Sequence, residues 1–107
     1  MDIKVKEDHT DEIIAAVEKA TEKALEMCGM QGEGYAKRKC PVDTGNLRNS
    51  ITHGVEDYTA YIGTNVEYAP YVEYGTSRMK AQPFIRPAAE NHVDEYRAII
   101  KSCLENV

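Results

Sequence analysis

The chain has no tryptophan and only one phenylalanine, Phe84, so any core it builds is aliphatic and rather thin. It has no apolar run near the roughly 20 residues needed to cross a bilayer. Its first residues, Met-Asp-Ile-Lys-Val-Lys-Glu-Asp, alternate and are charged, unlike a signal peptide. Cys28, Cys40 and Cys103 are odd in number and form no CxxC or short Cys/His spacing. That argues against a disulfide framework or a zinc site and fits thiols kept in a reducing cytosol. His9, His53 and His92 are scattered, with no HExxH pattern to suggest a metal centre. An excess of positive charge is missing too. The formal net charge is -5, which speaks against nucleic acid as a default partner.

What is present fits one domain spanning residues 1–107. A domain this small buries only a little over ~60% of its unfolded surface, so stability comes from one modest core or from partners. The charge is unevenly spread. Residues 1–32 carry eight acids and four bases, residues 33–86 six acids and seven bases, and residues 87–107 four acids and two bases. Seven of the eight aromatics are tyrosines, and five of these fall between Tyr58 and Tyr74. Tyrosine can bury its ring with a wet hydroxyl, or it can serve at a contact surface.

Ile3 and Val5 alternate with Lys4 and Lys6, which suits a short edge strand or extended arm. Thr10 or Asp11 then reads as the N-cap of a long helix. Ile13, Val17, Ala20, Ala24 and Met27 recur at spacings of 4, 3, 4 and 3, a narrow apolar seam flanked by Ile14, Leu25 and Cys28. Gly29, Gly32 and Gly34 weaken this helix by up to ~1 kcal/mol each. It either runs on through Tyr35-Ala36-Lys37-Arg38-Lys39 or kinks near Gly32, and Pro41 ends it.

Asn49–Glu56 and Thr59–Thr64 alternate as two strands, with Asp57-Tyr58 as a tight hairpin turn that lacks the usual glycine. Glu67–Tyr74 suits one or two helical turns, with Pro70 early enough to be tolerated and Gly75 as a C-terminal cap. Gly75–Pro83 reads as a loop. Pro87 suits the first position of a last helix, where Ala89, Val93, Tyr96, Ile100 and Cys103 again step by 4, 3, 4 and 3. The expected class is α+β: a long N-terminal and a C-terminal helix packed on a small antiparallel sheet, with a short helix and loop between. A lone hairpin is marginal, so further strands or a neighbouring subunit are expected to complete the sheet.

Asp43-Thr44-Gly45 invites comparison with aspartic proteases, where such a triplet supplies one carboxylate of a pair sharing a proton. That fold is nearly all β, the triplet there usually precedes Ser or Ala rather than Asn46, and here it follows a helix end. A turn in which Asp43 or Thr44 caps Leu47-Arg48-Asn49, with Gly45 at positive φ, is the competing reading. Gly29-Met30-Gln31-Gly32-Glu33-Gly34 superficially suggests a phosphate loop, but it follows a helix and carries Glu33, so it reads as a flexible joint. Lys37-Arg38-Lys39, with Arg48, Arg78, Lys80 and Arg86, could bind phosphate, or could pair with the acidic end of a sister subunit.

The stretch Cys40-Pro41-Val42-Asp43-Thr44-Gly45-Asn46-Leu47-Arg48-Asn49-Ser50-Ile51 resembles the P-V-D-T-G-x-L-R-x-S-I signature of the siphophage neck or minor tail-component family first defined in the Hong Kong phage. The likeness continues from Ile62 through Tyr68, Pro70, Tyr71, Glu73, Tyr74, Gly75 and Thr76, and closes with Ala81-Gln82-Pro83-Phe84-Ile85-Arg86-Pro87-Ala88. Three blocks in the family's order make the likeness specific, over about half the chain. The loop between the last two blocks, Ser77-Arg78-Met79-Lys80, is short for the family.

The resemblance implies a small α+β structural subunit of a tailed phage or prophage, made in a bacterial cytoplasm and placed in the virion neck or tail. It would join head to tail or complete the tail. It would assemble as a ring with itself and with other neck and tail proteins, with no catalysis, cofactor, metal, membrane or small-molecule substrate. Asp43, Thr44, Gly45, Leu47, Arg48, Tyr68, Pro70, Tyr71, Glu73, Tyr74, Gly75, Thr76, Pro83, Phe84 and Arg86 are then the interface or signature residues. Two other classes remain open at this point: a peptidase using Asp43, and a nucleic-acid or host-factor module using Lys37–Lys39.

Overall fold

In the computed structural model, residues 4–41 and 45–106 are described, with side chains from Asp11 onward. The order is α1 (Lys4–Lys39), α2 (Asn46–Ser50), β1 (Thr52–Glu56), β2 (Thr59–Gly63), α3 (Ala69–Tyr74), α4 (Ile85–Glu90) and α5 (Val93–Glu105). This is the α+β arrangement expected, and it is mostly helical. Among the described residues the sheet has two strands, β1 and β2, antiparallel with Thr52 opposite Gly63 and Glu56 opposite Thr59.

The long helix α1 is the spine, 36 residues in a molecule with extents of 73 × 23 × 21 Å. It begins at Lys4, so Val5 is helical rather than part of an edge strand, and Ile3 lies outside the described residues. Thr10 and Asp11 are therefore inside the helix rather than at its start. The short alternation of Ile3 and Val5 is outweighed by a 36-residue run in which each added residue gains a hydrogen bond.

Nor does α1 break at Gly32. Its glycines mark where other elements come close. A Cβ on Gly29 would sit 2.8 Å from His53 Cδ2 of β1, and one on Gly32 would sit 3.2 Å from Ile62 Cγ2 of β2 and 3.3 Å from the Tyr96 hydroxyl of α5. Gly34 meets nothing within 4 Å. By composition alone all three glycines weaken the helix. Two of them are the sockets that let the hairpin and α5 approach its backbone.

The hairpin turn is the two-residue type expected at Asp57-Tyr58, with φ of 51° and 58°. The first strand starts later than the alternation suggests, because Asn49 and Ser50 belong to α2. His53 then fastens the hairpin to the spine. Its Nε2 donates to Glu26 at 2.6 Å and its Nδ1 to Glu33 at 3.1 Å, both on α1. Donation from both ring nitrogens requires the imidazolium.

Helix α5 runs antiparallel to α1. Near its start His92 stacks on Tyr35 with centroids 3.6 Å apart, and Glu95 accepts from the Tyr35 hydroxyl. Near its end Cys103 meets the sulfur of Met27 at 3.8 Å. Pro87 is the third residue of α4 rather than the first of one last helix, and the chain bends at Asn91-His92 before α5. The 4-3-4-3 spacing from Ala89 to Cys103 thus spans two helices, and Val93 at the bend is 41% exposed. The core lies at the C-terminal end of α1, where Ala36, Cys40, Leu47, Ile51, Ala69, Phe84 and Ala88 pack together.

Two outcomes follow. Gly29→Ala should destabilise the protein by ~1–3 kcal/mol through overpacking against a ring pinned at both nitrogens, while Gly34→Ala should stabilise it by ~0.5–1 kcal/mol; urea melts of the two variants should shift in opposite directions. The second outcome concerns pH. Hydrogen bonds to Glu26 and then Glu33 raise the His53 pKa above its ordinary 6.5, and the bond from His53 lowers that of Glu33 below 4.5. A raised histidine stabilises fully below 6.5 and loses that contribution as pH climbs through its folded value; a lowered carboxylate loses its contribution as pH falls below 4.5. Stability should therefore decline above neutrality by up to about 1 kcal/mol, and His53→Gln should flatten the alkaline slope in thermal melts across pH 6 to 9.

Candidate functional site

The residues singled out by sequence fall around α3, and their placement begins with one buried carboxylate. Glu73 is 8% exposed, the one buried charged residue among those described. Its Oε1 accepts from the backbone N–H of Phe84 at 3.1 Å and of Ile85 at 3.0 Å, and its Oε2 accepts from Arg86 N–H at 3.2 Å. These are the first donors of α4, which have no intrahelical acceptor. The next residue is Pro87, which has no N–H to satisfy. Glu73 and Pro87 together account for the whole start of that helix.

This clasp explains the spacing between the second and third blocks. From Glu73 the chain leaves α3 through Gly75, at φ 78°, where a Cβ would lie 2.7 Å from the Ala81 nitrogen. Thr76 Oγ1 accepts from the Arg78 and Met79 N–H groups, and Gln82 N–H returns to the Val72 carbonyl at 2.8 Å. The loop is folded back on itself and delivers Phe84, the one phenylalanine, fully buried into the core.

Two open clefts flank α3. One, of about 590 Å³, is bordered by Gly63, Val66, Glu73, Tyr74, Ile85 and Arg86. There Arg86 Nε donates to Glu90 at 3.1 Å, which with the nearby carboxylates raises its pKa. The other, of about 540 Å³, is bordered by Pro41, Gly45, Leu47, Tyr68, Val72, Met79 and Gln82.

The tyrosines of this region point outwards: Tyr68 is 44%, Tyr71 59% and Tyr74 74% exposed. They do not line a single cleft, since Tyr68 borders one and Tyr74 the other. At 3.6 residues per turn, each step of three falls back by about 60°, so the first and third diverge by about 120°.

The signature residues therefore separate into two kinds. Leu47, Glu73 and Phe84 are buried, Gly45 (φ 85°) and Gly75 hold positive-φ corners, and Pro70 opens α3. Arg48, Tyr68, Tyr71, Tyr74, Thr76, Pro83 and Arg86 are exposed. Asp43 and Thr44 lie outside the described residues, so their proposed cap does too; Gly45 occupies the cap position of α2. The mostly helical chain does not have the nearly all-β framework in which an Asp-Thr-Gly carboxylate pair works. The sequence reading passed over Glu73 as the anchor. Only its odd place, an acid between Val72 and Tyr74 in a short apolar helix, hinted at it.

Two of the three bases that end α1 are engaged, while Lys39, Arg48, Arg78 and Lys80 are exposed. Lys37 pairs with Glu33 at 3.3 Å and Arg38 lies 5.4 Å over the Tyr35 ring, both in the last turn of α1 where cations favour the helix dipole. Among the described residues no group of His, Cys, Asp and Glu is placed to hold a metal ion, and no helix is long and apolar enough to cross a membrane.

If the clasp is as central as its geometry indicates, Glu73→Ala should cost ~2–3 kcal/mol, the range for hydrogen bonds to a charged group. Glu73→Gln, which keeps one carbonyl acceptor, should cost less. Urea unfolding of the two variants measures both.

Comparison with known proteins gives one family. The model described as "Bacteriophage HK97-gp10, putative tail-component" matches residues 4–75, which covers α1 through α3. Searches of curated proteins and of solved structures find no match to the chain.

Proposed function

The chain belongs to the HK97-gp10-like family of bacteriophage tail components, and from that membership we propose that it is a neck or tail-completion subunit that acts by ring assembly, without catalysis. The match over residues 4–75 carries this reading. The surface supports it: exposed Tyr71 and Tyr74 on α3 with Tyr68 at its cap, Arg48 on α2 beside the buried Leu47, and a core too small to cover the spine. Tyrosine is enriched where interfaces concentrate their energy.

On this reading the subunit binds copies of itself and other neck and tail proteins in the virion, after synthesis in the bacterial host. A closed ring of one chain requires heterologous contacts, one face of each copy meeting a different face of the next. Acidic ends and a mildly basic middle give such faces opposite character, which sets register and partner choice more than affinity.

Tyr71→Ala and Arg48→Ala each change an exposed side chain, so the isolated subunit should keep its stability within ~0.5 kcal/mol. In phage carrying either variant, electron microscopy should show heads without stable tails. Normal particles in both would remove these residues from the interface.

A further inference from the structure

Helix α1 is longer than everything packed on it. The hairpin turn at Asp57-Tyr58 reaches no further along it than Lys19, and α5 lies opposite Met27 near its own end. Every residue from 11 to 19 is exposed, including Ile13 at 58%, Ile14 at 49% and Val17 at 41%. An apolar stripe left in water on such an arm gains free energy when a partner covers it. The family match begins at residue 4, so this arm belongs to the family's own domain.

Charge narrows what can cover it. Residues 11–19 hold three acids, Asp11, Glu12 and Glu18, against one base, Lys19. Two arms laid side by side would set like charges along one seam, which disfavours arm-to-arm pairing. A fitting surface is apolar within and positive around its edge.

The chain carries such a surface at the other end of α1. The cleft of about 540 Å³ between α2, α3 and the loop after Gly75 is floored by Leu47, Val72 and Met79. Exposed Lys39, Arg48, Arg78 and Lys80 lie within two positions of its lining residues in sequence, against Asp43, Glu67 and Glu73, the last already held by three backbone N–H groups, which leaves a small positive balance. Val17 and Lys39 are separated by about 33 Å of continuous helix, at ~1.5 Å per residue. One copy therefore cannot fill its own cleft.

We propose that the acidic arm of one copy, Asp11–Lys19, seats Ile13, Ile14 and Val17 in this cleft of the next copy. The proposal rests on the ring reading and supplies its contact: a head-to-tail joint in which each subunit gives an arm and receives one. The arm's apolar stripe and the cleft floor are both covered, and the surrounding charges are opposite.

Cysteine cross-linking in assembled particles tests it. Phage carrying V17C together with M79C, with Cys28, Cys40 and Cys103 replaced by alanine, should give on mild oxidation a ladder of covalent multimers of this chain, while either single variant in the same background should give none. Particles that contain the protein but yield no ladder overturn the arm-to-cleft contact and leave the tail-component reading intact. A dimer from V17C alone shows arm-to-arm pairing, and a V17C adduct with a different protein shows a foreign partner; each overturns the proposal. Absence of the chain from purified particles removes the tail reading and the proposal together.

Discussion

A carboxylate that cannot be left unpaired organises the middle of this protein. Glu73, a buried residue of α3, would be costly without hydrogen-bond donors around it, and the three N–H groups at the start of α4 would be equally costly without an acceptor. Each solves the other's problem. The same contact fixes where the loop from Gly75 must end, and so drives Phe84 into the core between Ala36, Leu47 and Ala88. Without that ring the small domain has no large aromatic in its interior.

The spine depends on the opposite strategy, the removal of side chains. Gly29 and Gly32 let a histidine, an isoleucine and a tyrosine close directly onto the backbone of α1, so a two-stranded hairpin too small to stand alone is held by close packing and by the two carboxylates that grip His53. Stability is thereby concentrated in the C-terminal two-thirds of α1. The N-terminal arm is left with an apolar stripe that nothing within the described subunit covers.

The residues that carry the family likeness are thus of mixed physical meaning. Within the matched residues Leu47, Glu73 and Gly75 build the fold, while Arg48, Tyr71 and Tyr74 stand on its surface. A shared motif does not distinguish the two, since a residue needed to close a core and one needed to meet a partner are equally fixed in spacing.

Local chemistry was legible from the sequence: the long helix stopped before Pro41, the hairpin at Asp57-Tyr58, the short helix capped at Gly75, the loop after it and the α+β class. Each depends on neighbours within a few residues, where backbone sterics decide. A kink at Gly32, one of two readings left open, and Pro87 as a first position are not seen because contacts distant in sequence give those residues other roles, whereas Thr10 lies inside a helix that simply starts earlier, at Lys4. The apolar seam from Ile13 to Met27 shows the division most clearly. Its spacing alone established that this face of α1 is apolar; only the tertiary structure decided that Ala24 is buried while Ile13 and Val17 remain in solvent. Periodicity records which way side chains point along a helix, whereas burial depends on what the rest of the chain is long enough to reach.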